Sequence, residues 1–388
     1  MAARPLRVLS VGHAYVVSLN RATLRHVAQD PDFDVTVVAP RVMKDELRTI
    51  AVEPEPDGSP LRVVEVDAYL TQRIHLFVYD PFQIARLLAG RAFDVVHIWE
   101  EPYVFAGFQL ARIMHRRGLP FCVHTNQNIA KRYPPPFGYF ERSVLRWCTG
   151  WVACGSLVFD QMVRKGFPPD TGHVLTFAVD EGHFRPFDDV EKAQVAGRLG
   201  LRQPIIGFIG RFTEAKGCEI LLEILRRLDS ADPWSLLLMG SGPYQGRFEA
   251  LVRELGVSDR VRITLLPHHE VPDVLPACDM LLCPSQTTAT WREQFGRMTV
   301  EAFASGVAVI GSDSGEIPFV MGGAGLVLPE DDVEGWVAAV ESLLRDDVRR
   351  QELAGLGLQR VGRYTAQGVA PGYKQFFRWL HQRGADRA

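Results

Sequence analysis

Short apolar runs, each ending in a polar or glycine-containing loop and followed by a helix-length segment, recur throughout this 388-residue chain. In the first half they are Arg7–Val11, Val35–Ala39, Val95–Trp99, Phe121–His124 and Trp151–Ala153. In the second half they are Ile205–Ile209, Ser235–Met239, Val261–Leu266, Met280–Cys283, Ala308–Ile310 and Leu326–Leu328. The runs are continuous rather than alternating, so each strand is expected to be buried on both faces, as in a parallel sheet covered by helices. Strand and helix alternate along the whole length, which specifies an α/β protein. The chain is too long for one ordinary core, and the reading is two doubly wound domains.

The break between them is expected between Phe184 and Pro204, where Arg185-Pro186-Phe187-Asp188-Asp189 opens a polar stretch without a strand signal. Residues 1–186 are read as the first domain, 187–203 as a linker and 204–364 as the second domain. Residues 365–388 carry an aromatic helical face of Tyr373, Phe376, Phe377, Trp379 and Leu380, expected to pack back on the first domain. Open α/β sheets bind ligands beyond the carboxyl ends of their strands. A ligand is therefore expected in a cleft across which the two domains face each other.

Composition narrows the function classes. The chain is 47% hydrophobic and 23% charged with a net charge of −3, which gives no footprint for nucleic acid. Its six cysteines form no Cys-x-x-Cys pair and read as reduced core residues of a cytoplasmic protein. The first apolar run stops at His13 without a cleavage-site pattern, so it reads as a strand rather than a signal peptide. No segment is long and apolar enough to span a bilayer. Arg112-Ile113-Met114-His115-Arg116-Arg117 reads as a solvated helix end, with weak peripheral contact to the inner face of a membrane as the alternative.

Chemistry concentrates in a few loops. After Ile209, Gly210-Arg211-Phe212-Thr213-Glu214-Ala215-Lys216-Gly217 places two cations around a helix start. A lysine there is normally mildly unfavourable against the helix dipole, and a bound diphosphate reverses that sign. Further on, Glu293 and Glu301 stand with seven residues between them, at a loop entering a helix whose Phe295, Met298, Val300, Ala302 and Phe303 are apolar. Carboxylate repels phosphate, so the consistent reading puts both glutamates on hydroxyls, with Gly296 allowing the backbone close to the anion. The pattern fits a polyol held next to a phosphate.

In the first half, Gly12-His13 follows a strand and offers a close-approach loop, Glu100-Glu101 ends another, and His124 precedes Thr125-Asn126-Gln127-Asn128. For His124 a satisfied core position and a cleft position are equally open. His13, Glu100 and Glu101 are candidates for catalytic or acceptor roles against plain surface polarity. Two motifs are read as decoys. Gly240-Ser241-Gly242-Pro243-Tyr244-Gln245-Gly246 imitates a dinucleotide loop but has its third glycine one residue late and no acidic ribose ligand after the next strand. Asp32-Phe33-Asp34 precedes a strand and reads as a solvated turn.

Taken in order, these residues resemble the retaining nucleotide-sugar glycosyltransferases of family 4, which have the GT-B fold. The match runs through Gly210-Arg211-Phe212-x-x-x-Lys216-Gly217, Gly240-x-Gly242-Pro243, Cys278-Asp279 to Pro284-Ser285, and Glu293-x-Phe295-Gly296 to Glu301-Ala302. Ser314-Gly315-Glu316-Ile317-Pro318 and Gly325-Leu326-Val327-Leu328-Pro329 complete it. The first half matches more loosely, through Gly12-His13, His124-Thr125 and Val179-Asp180-x-x-x-Phe184-x-Pro186.

The resemblance implies a GT-B protein of two Rossmann-like domains that moves a sugar from a UDP- or GDP-type donor to a hydroxyl acceptor, with no cofactor and no essential metal. It implies that Arg211 and Lys216 clamp the donor diphosphate and that Glu301 holds the ribose. Glu293, with backbone around Phe295, Gly296 and Arg297, would hold the donor sugar, and His124 would lie beside its reacting end. Gly12 would approach the donor closely, and the Pro267–Val271 loop, ending at Val271, is the expected base contact. Retention implies front-face attack, the diphosphate oxygen taking the acceptor proton. Lys131-Arg132-Tyr133-Pro134-Pro135-Pro136-Phe137 is expected to wall the acceptor side. Phe177-Ala178, Ala308 and Phe319 depart from the common pattern without removing a phosphate or sugar ligand. A nucleotide-sugar epimerase or hydrolase, or a non-catalytic nucleotide-sugar binding protein, are the alternatives.

Overall fold

The computed structural model describes residues 4–44, 49–229 and 232–386. Two compact units emerge from it. One comprises the chain up to Ala178 together with the segment from Ala366 onward, and the other runs Val179–Thr365.

The first unit is built on a parallel sheet of β1 (Leu6–Val11), β2 (Phe33–Pro40), β3 (Arg62–Val66), β4 (Val95–Ile98), β5 (Phe121–Thr125), β6 (Gly150–Ala153) and β7 (Gly172–Val174). Its spatial order is β7-β6-β5-β4-β1-β2-β3. The central strands β1, β4, β5 and β6 are almost wholly buried, as their continuous apolar sequences require. The two strands absent from the sequence reading, β3 and β7, are the sheet's edges. Arg62 and Glu65 interrupt one, and the other is a three-residue strand, so neither carries a long apolar run.

The second unit carries β8 (Ile205–Ile209), β9 (Ser235–Met239), β10 (Val261–Thr264), β11 (Met280–Cys283), β12 (Ala308–Ser312) and β13 (Leu326–Leu328) in the order β10-β9-β8-β11-β12-β13. All its neighbouring strands pair in parallel. Both sheets therefore wind outward in two directions from a first central strand. The order reverses between β1 and β4 in one unit and between β8 and β11 in the other. Sheets of this kind take ligands at such switch points.

The first unit does not end at residue 186 as expected. Val179 already belongs to the second unit, where its N–H donates to the Tyr364 carbonyl at 2.8 Å and the two strands of chain around Val179 and Thr365 run side by side. Nor is the stretch 187–203 an irregular linker. Asp189–Leu199 is a helix started by a reciprocal capping box of Asp188 and Glu191 and ended by Gly200 in the left-handed region, φ 67°. The Asp188-x-x-Glu191 spacing carries this signal, but only Val195 and Ala196 are buried, so apolar periodicity is weak.

The last helix, Ala366–Ala385, belongs to the first unit. Val369, Tyr373, Phe376, Phe377 and Leu380 pack in one core with Val8, Leu24, Val27 and Phe33. Lys374 and Arg378 pair with Asp30 and Asp32 at 3.0 and 2.8 Å, so Asp32 does serve a surface ion pair.

Candidate functional site

The switch point of the second unit is built by two loops. One follows β8 and leads through Gly217 into α1 (Cys218–Arg227), and the other follows β11 and leads through Gly296 into α2 (Arg297–Ala304). They meet closely: Gln286 N–H donates to the Ala215 carbonyl at 2.9 Å. At Gly217, φ 74°, a Cβ would stand 1.9 Å from the Pro284 carbonyl oxygen, so only glycine admits this approach. The glycine motif after β9 clamps the first loop from its other side. Phe212 N–H donates to the Ser241 carbonyl at 2.8 Å, and Tyr244 N–H to the Phe212 carbonyl at 3.1 Å. In this geometry the motif braces the Arg211 loop.

Lys216 and Glu293 meet across this junction, Nζ donating to Oε2 at 2.6 Å. Ser285 Oγ donates to the same carboxylate oxygen at 2.7 Å, and the Lys216 ammonium lies 4.7 Å from the centre of the Trp291 ring. Burial alone would raise the Glu293 pKa. The Lys216 charge and hydrogen bond, Ser285 and the Gly296 N–H outweigh it, and the net shift is downward, so the carboxylate is held ionised. Glu293 is fixed from behind as well. Gly315, φ 59°, lets the backbone after β12 press on it so tightly that a Cβ would lie 1.9 Å from the Glu293 carbonyl oxygen, and Glu316 N–H donates to that oxygen at 3.2 Å.

Arg211 is exposed on the β8 loop. Gly296 takes φ 80° at the N-cap of α2, and its N–H donates to the Glu293 carboxylate. Phe295 is buried with its ring edge-on to Tyr364 at 5.7 Å, so any ligand contact from this residue falls to its backbone. Glu301 is buried on α2, and His268 Nε2 approaches its Oε1 at 3.3 Å. This brings the loop containing Val271 beside the second glutamate, although Val271 itself is buried. Burial lowers the pKa of Arg297, one helical turn before Glu301, against the opposing Glu301 charge.

In the first unit, the expected His124 lies away from any open edge. Its ring is 1% exposed, stacked between Trp99 and Phe177 at 5.6 and 5.8 Å and 5.6 Å from His97. Burial, reinforced by His97, drives its pKa well down. Within the first unit this is a packing position. Gly12 is extended and closely backed by Trp99 and Tyr15, where a Cβ would meet atoms at 3.0 to 3.1 Å.

The first unit's switch point instead gathers His13, Glu100 and Tyr79. His13 Nδ1 lies 2.6 Å from Glu100 Oε2, while the His13 backbone N–H and Tyr79 hydroxyl donate to Oε1 at 2.7 and 2.6 Å. Burial works to lower the His13 pKa, but the charge and hydrogen bond of Glu100, aided by Glu101, raise it overall. Glu101 faces the other way, accepting from Thr125 Oγ1 and Asn126 N–H at 2.7 Å each and from Gln127 Nε2 at 3.2 Å. Tyr133 of the expected acceptor wall stacks on Tyr103 at 3.9 Å and lies under Lys165, which bonds Gln127 at 2.6 Å. Tyr79 escaped the sequence reading because it lies on a two-residue strand, Val78–Tyr79, without a motif.

Two Rossmann-like units with ligand-ready loops at their switch points make up the GT-B glycosyltransferase architecture. Residues 21–182 match the family model "Glycosyltransferase Family 4" and residues 189–356 match "Glycosyl transferases group 1". The chain belongs to the family 4 glycosyltransferases. It is 26% identical over 295 residues to a 2-deoxystreptamine N-acetyl-D-glucosaminyltransferase of Streptomyces fradiae, covering 71% of this chain and 69% of that one. It is 30% identical over 227 residues to a D-inositol 3-phosphate glycosyltransferase of Segniliparus rotundus, covering 56% of this chain and 49% of that protein. The match thus spans about half the length of this second relative. Among solved structures, HepE of Anabaena in complex with UDP superimposes with a TM-score of 0.73 over 96% of this chain and all of that chain, at 13% identity, a likeness of fold.

Proposed function

We propose that this protein is a retaining, metal-independent glycosyltransferase that moves a sugar from a nucleoside-diphosphate sugar, of UDP or GDP type, to a hydroxyl acceptor. The observation that carries this reading is the Lys216–Glu293–Ser285 cluster at the switch point of the second unit. An ammonium has three N–H donors. One serves Glu293, and the others suit a diphosphate oxygen without breaking that bond. Arg211 and the N-terminus of α2 add positive potential, so charge developing on the leaving diphosphate is stabilised by the chain itself. Glu293, ionised, accepts from hydroxyls of the donor sugar. Backbone around Phe295, Gly296 and Arg297 completes that contact, Glu301 takes the ribose hydroxyls, and the loop through Val271 takes the base. The UDP bound in HepE, a protein of the same fold, supports a nucleotide donor.

The test is a thermal-shift panel of UDP, GDP, ADP and their sugars, with and without EDTA. Selective stabilisation by a uridine or guanosine nucleotide is expected, and stabilisation by none would sink the proposal. With the donor known, the anomeric configuration of the product by NMR decides between retention and inversion. Sugar-nucleotide turnover undiminished by withholding acceptor would favour a hydrolase or epimerase instead.

A further inference from the structure

We propose that His13 binds the acceptor hydroxyl through Nε2, and that Glu100 is the positioning residue that fixes the ring for that contact. This rests on the donor reading above and assigns the acceptor side of the same reaction.

His13 stands directly after β1 and Glu100 directly after β4, so the pair occupies the switch point of the first unit's sheet, the edge at which such sheets take ligands. The Glu100 side chain is 1% exposed and is held by three donors: the His13 backbone N–H, the Tyr79 hydroxyl and the His13 ring. A carboxylate so placed selects the tautomer that carries its proton on Nδ1. Nε2 then presents a lone pair, and among the described residues no hydrogen bond is made to it. The His13 side chain is 35% exposed, and Phe77 meets the ring edge-on at 5.6 Å. The two other histidines at these strand ends differ in both respects. His97 and His124 are 1% exposed and have no carboxylate partner, His97 bonding Ser10 instead. Of these three histidines, His13 alone joins an orienting carboxylate to an accessible ring.

A hydroxyl donating to Nε2 is held with its oxygen lone pairs directed away from the ring. As one of them forms the bond to the sugar carbon, the bond from that carbon to the diphosphate breaks, and the proton leaves the Nε2 contact for the departing diphosphate oxygen. His13 thus binds and orients the hydroxyl without keeping its proton. Protonation of His13 replaces that acceptor with a donor and abolishes the contact. The titratable groups around the ring are Glu100, Tyr79 behind it, and Glu101.

The bland alternative is that the pair merely ties two loops together. His13→Asn separates the two, because its amide N–H can keep the Glu100 bond while Nε2 is lost. His13→Gln restores a polar atom near the Nε2 position. Binding of UDP and GDP is measured by calorimetry on each variant. Turnover of the sugar of whichever nucleotide binds is then followed by nucleoside-diphosphate release, with water and with a panel of sugar and polyol acceptors. Unchanged donor Kd, a loss of turnover of about 10²-fold in His13→Asn and partial recovery in His13→Gln are expected. Glu100→Gln should shift the acid limb of the rate profile to lower pH, because the charge that favours the imidazolium is gone. Wild-type turnover in His13→Asn, or an acid limb unmoved in Glu100→Gln, overturns the assignment. Failure of the wild-type protein to bind either nucleotide instead overturns the donor reading.

Discussion

The Lys216 ammonium sits 2.6 Å from the Glu293 carboxylate and 4.7 Å from the Trp291 ring centre, so this cation is held in place by its own neighbours. With the two side chains 20% and 8% exposed, the pair is largely but not wholly removed from water. Its removal has consequences for both stability and binding.

Replacing Lys216 by methionine removes the ammonium that bonds the Glu293 carboxylate. Such a half-broken, mostly buried pair costs about 1–3 kcal/mol. Urea unfolding should show this loss for Lys216→Met and a smaller one for Glu293→Gln, while both abolish sugar transfer. Equal stability of all three proteins would mean that the pair is not formed in solution.

The downward shift of Glu293 has a definite pH signature. A carboxyl whose folded pKa lies below its unfolded value contributes stability above the unfolded value, near 4.5, and loses it as pH falls through the folded one. In Lys216→Met the shift is diminished. Its stability deficit should therefore be full at pH 7 and shrink below about pH 4.5 as Glu293 protonates in both states. A deficit constant with pH would contradict this origin.

Burial holds His97 down at about 3 and His124 well below its ordinary value, so the unfolded chain takes up protons before the folded one does. Their neutral packing stabilises above pH 6.5, and that stability drains away as pH falls toward 3. His124→Phe keeps an aromatic ring between Trp99 and Phe177 without a titrating group. Its loss of Tm between pH 7 and pH 4 should be smaller than that of wild type, and an equal loss would count against the stack as an acid-sensitive element.

Gly315→Ala forces a Cβ into the Glu293 carbonyl oxygen at a left-handed φ. A loss of at least about 2 kcal/mol is expected, together with weakened nucleotide binding, because the same backbone positions Glu293. Chemical unfolding and calorimetry check both effects.

Glu301, if it holds the ribose, discriminates by its hydroxyls. Glu301→Gln should weaken binding of the cognate nucleoside diphosphate by about ten-fold while leaving the 2′-deoxy analogue less affected, so that the two affinities converge. Parallel losses for both nucleotides would place Glu301 elsewhere.

Much of this was legible along the chain. The buried strands announced themselves by continuous apolar runs, and Lys216, Glu293 and Glu301 stood out because charged residues so near apolar helices need partners. The edge strands Arg62–Val66 and Gly172–Val174 were silent, since half-solvated short strands have no such run. The Asp189–Leu199 helix was likewise hidden by its mostly solvated surface, although its capping box is written in Asp188 and Glu191.

What the sequence by itself determined was local: which segments bury both faces, which loops follow strands, and which of them carry charge. Tertiary structure decided which side chains meet. Lys216 reaches Glu293 across 77 positions and His13 reaches Glu100 across 87, because each sheet reverses its winding there and lays two distant loops side by side. It also turned His124 inward to a stack and left His13 at the accessible edge. Periodicity reports burial one segment at a time, whereas strand order and register choose the partners, and those are properties of the folded sheet.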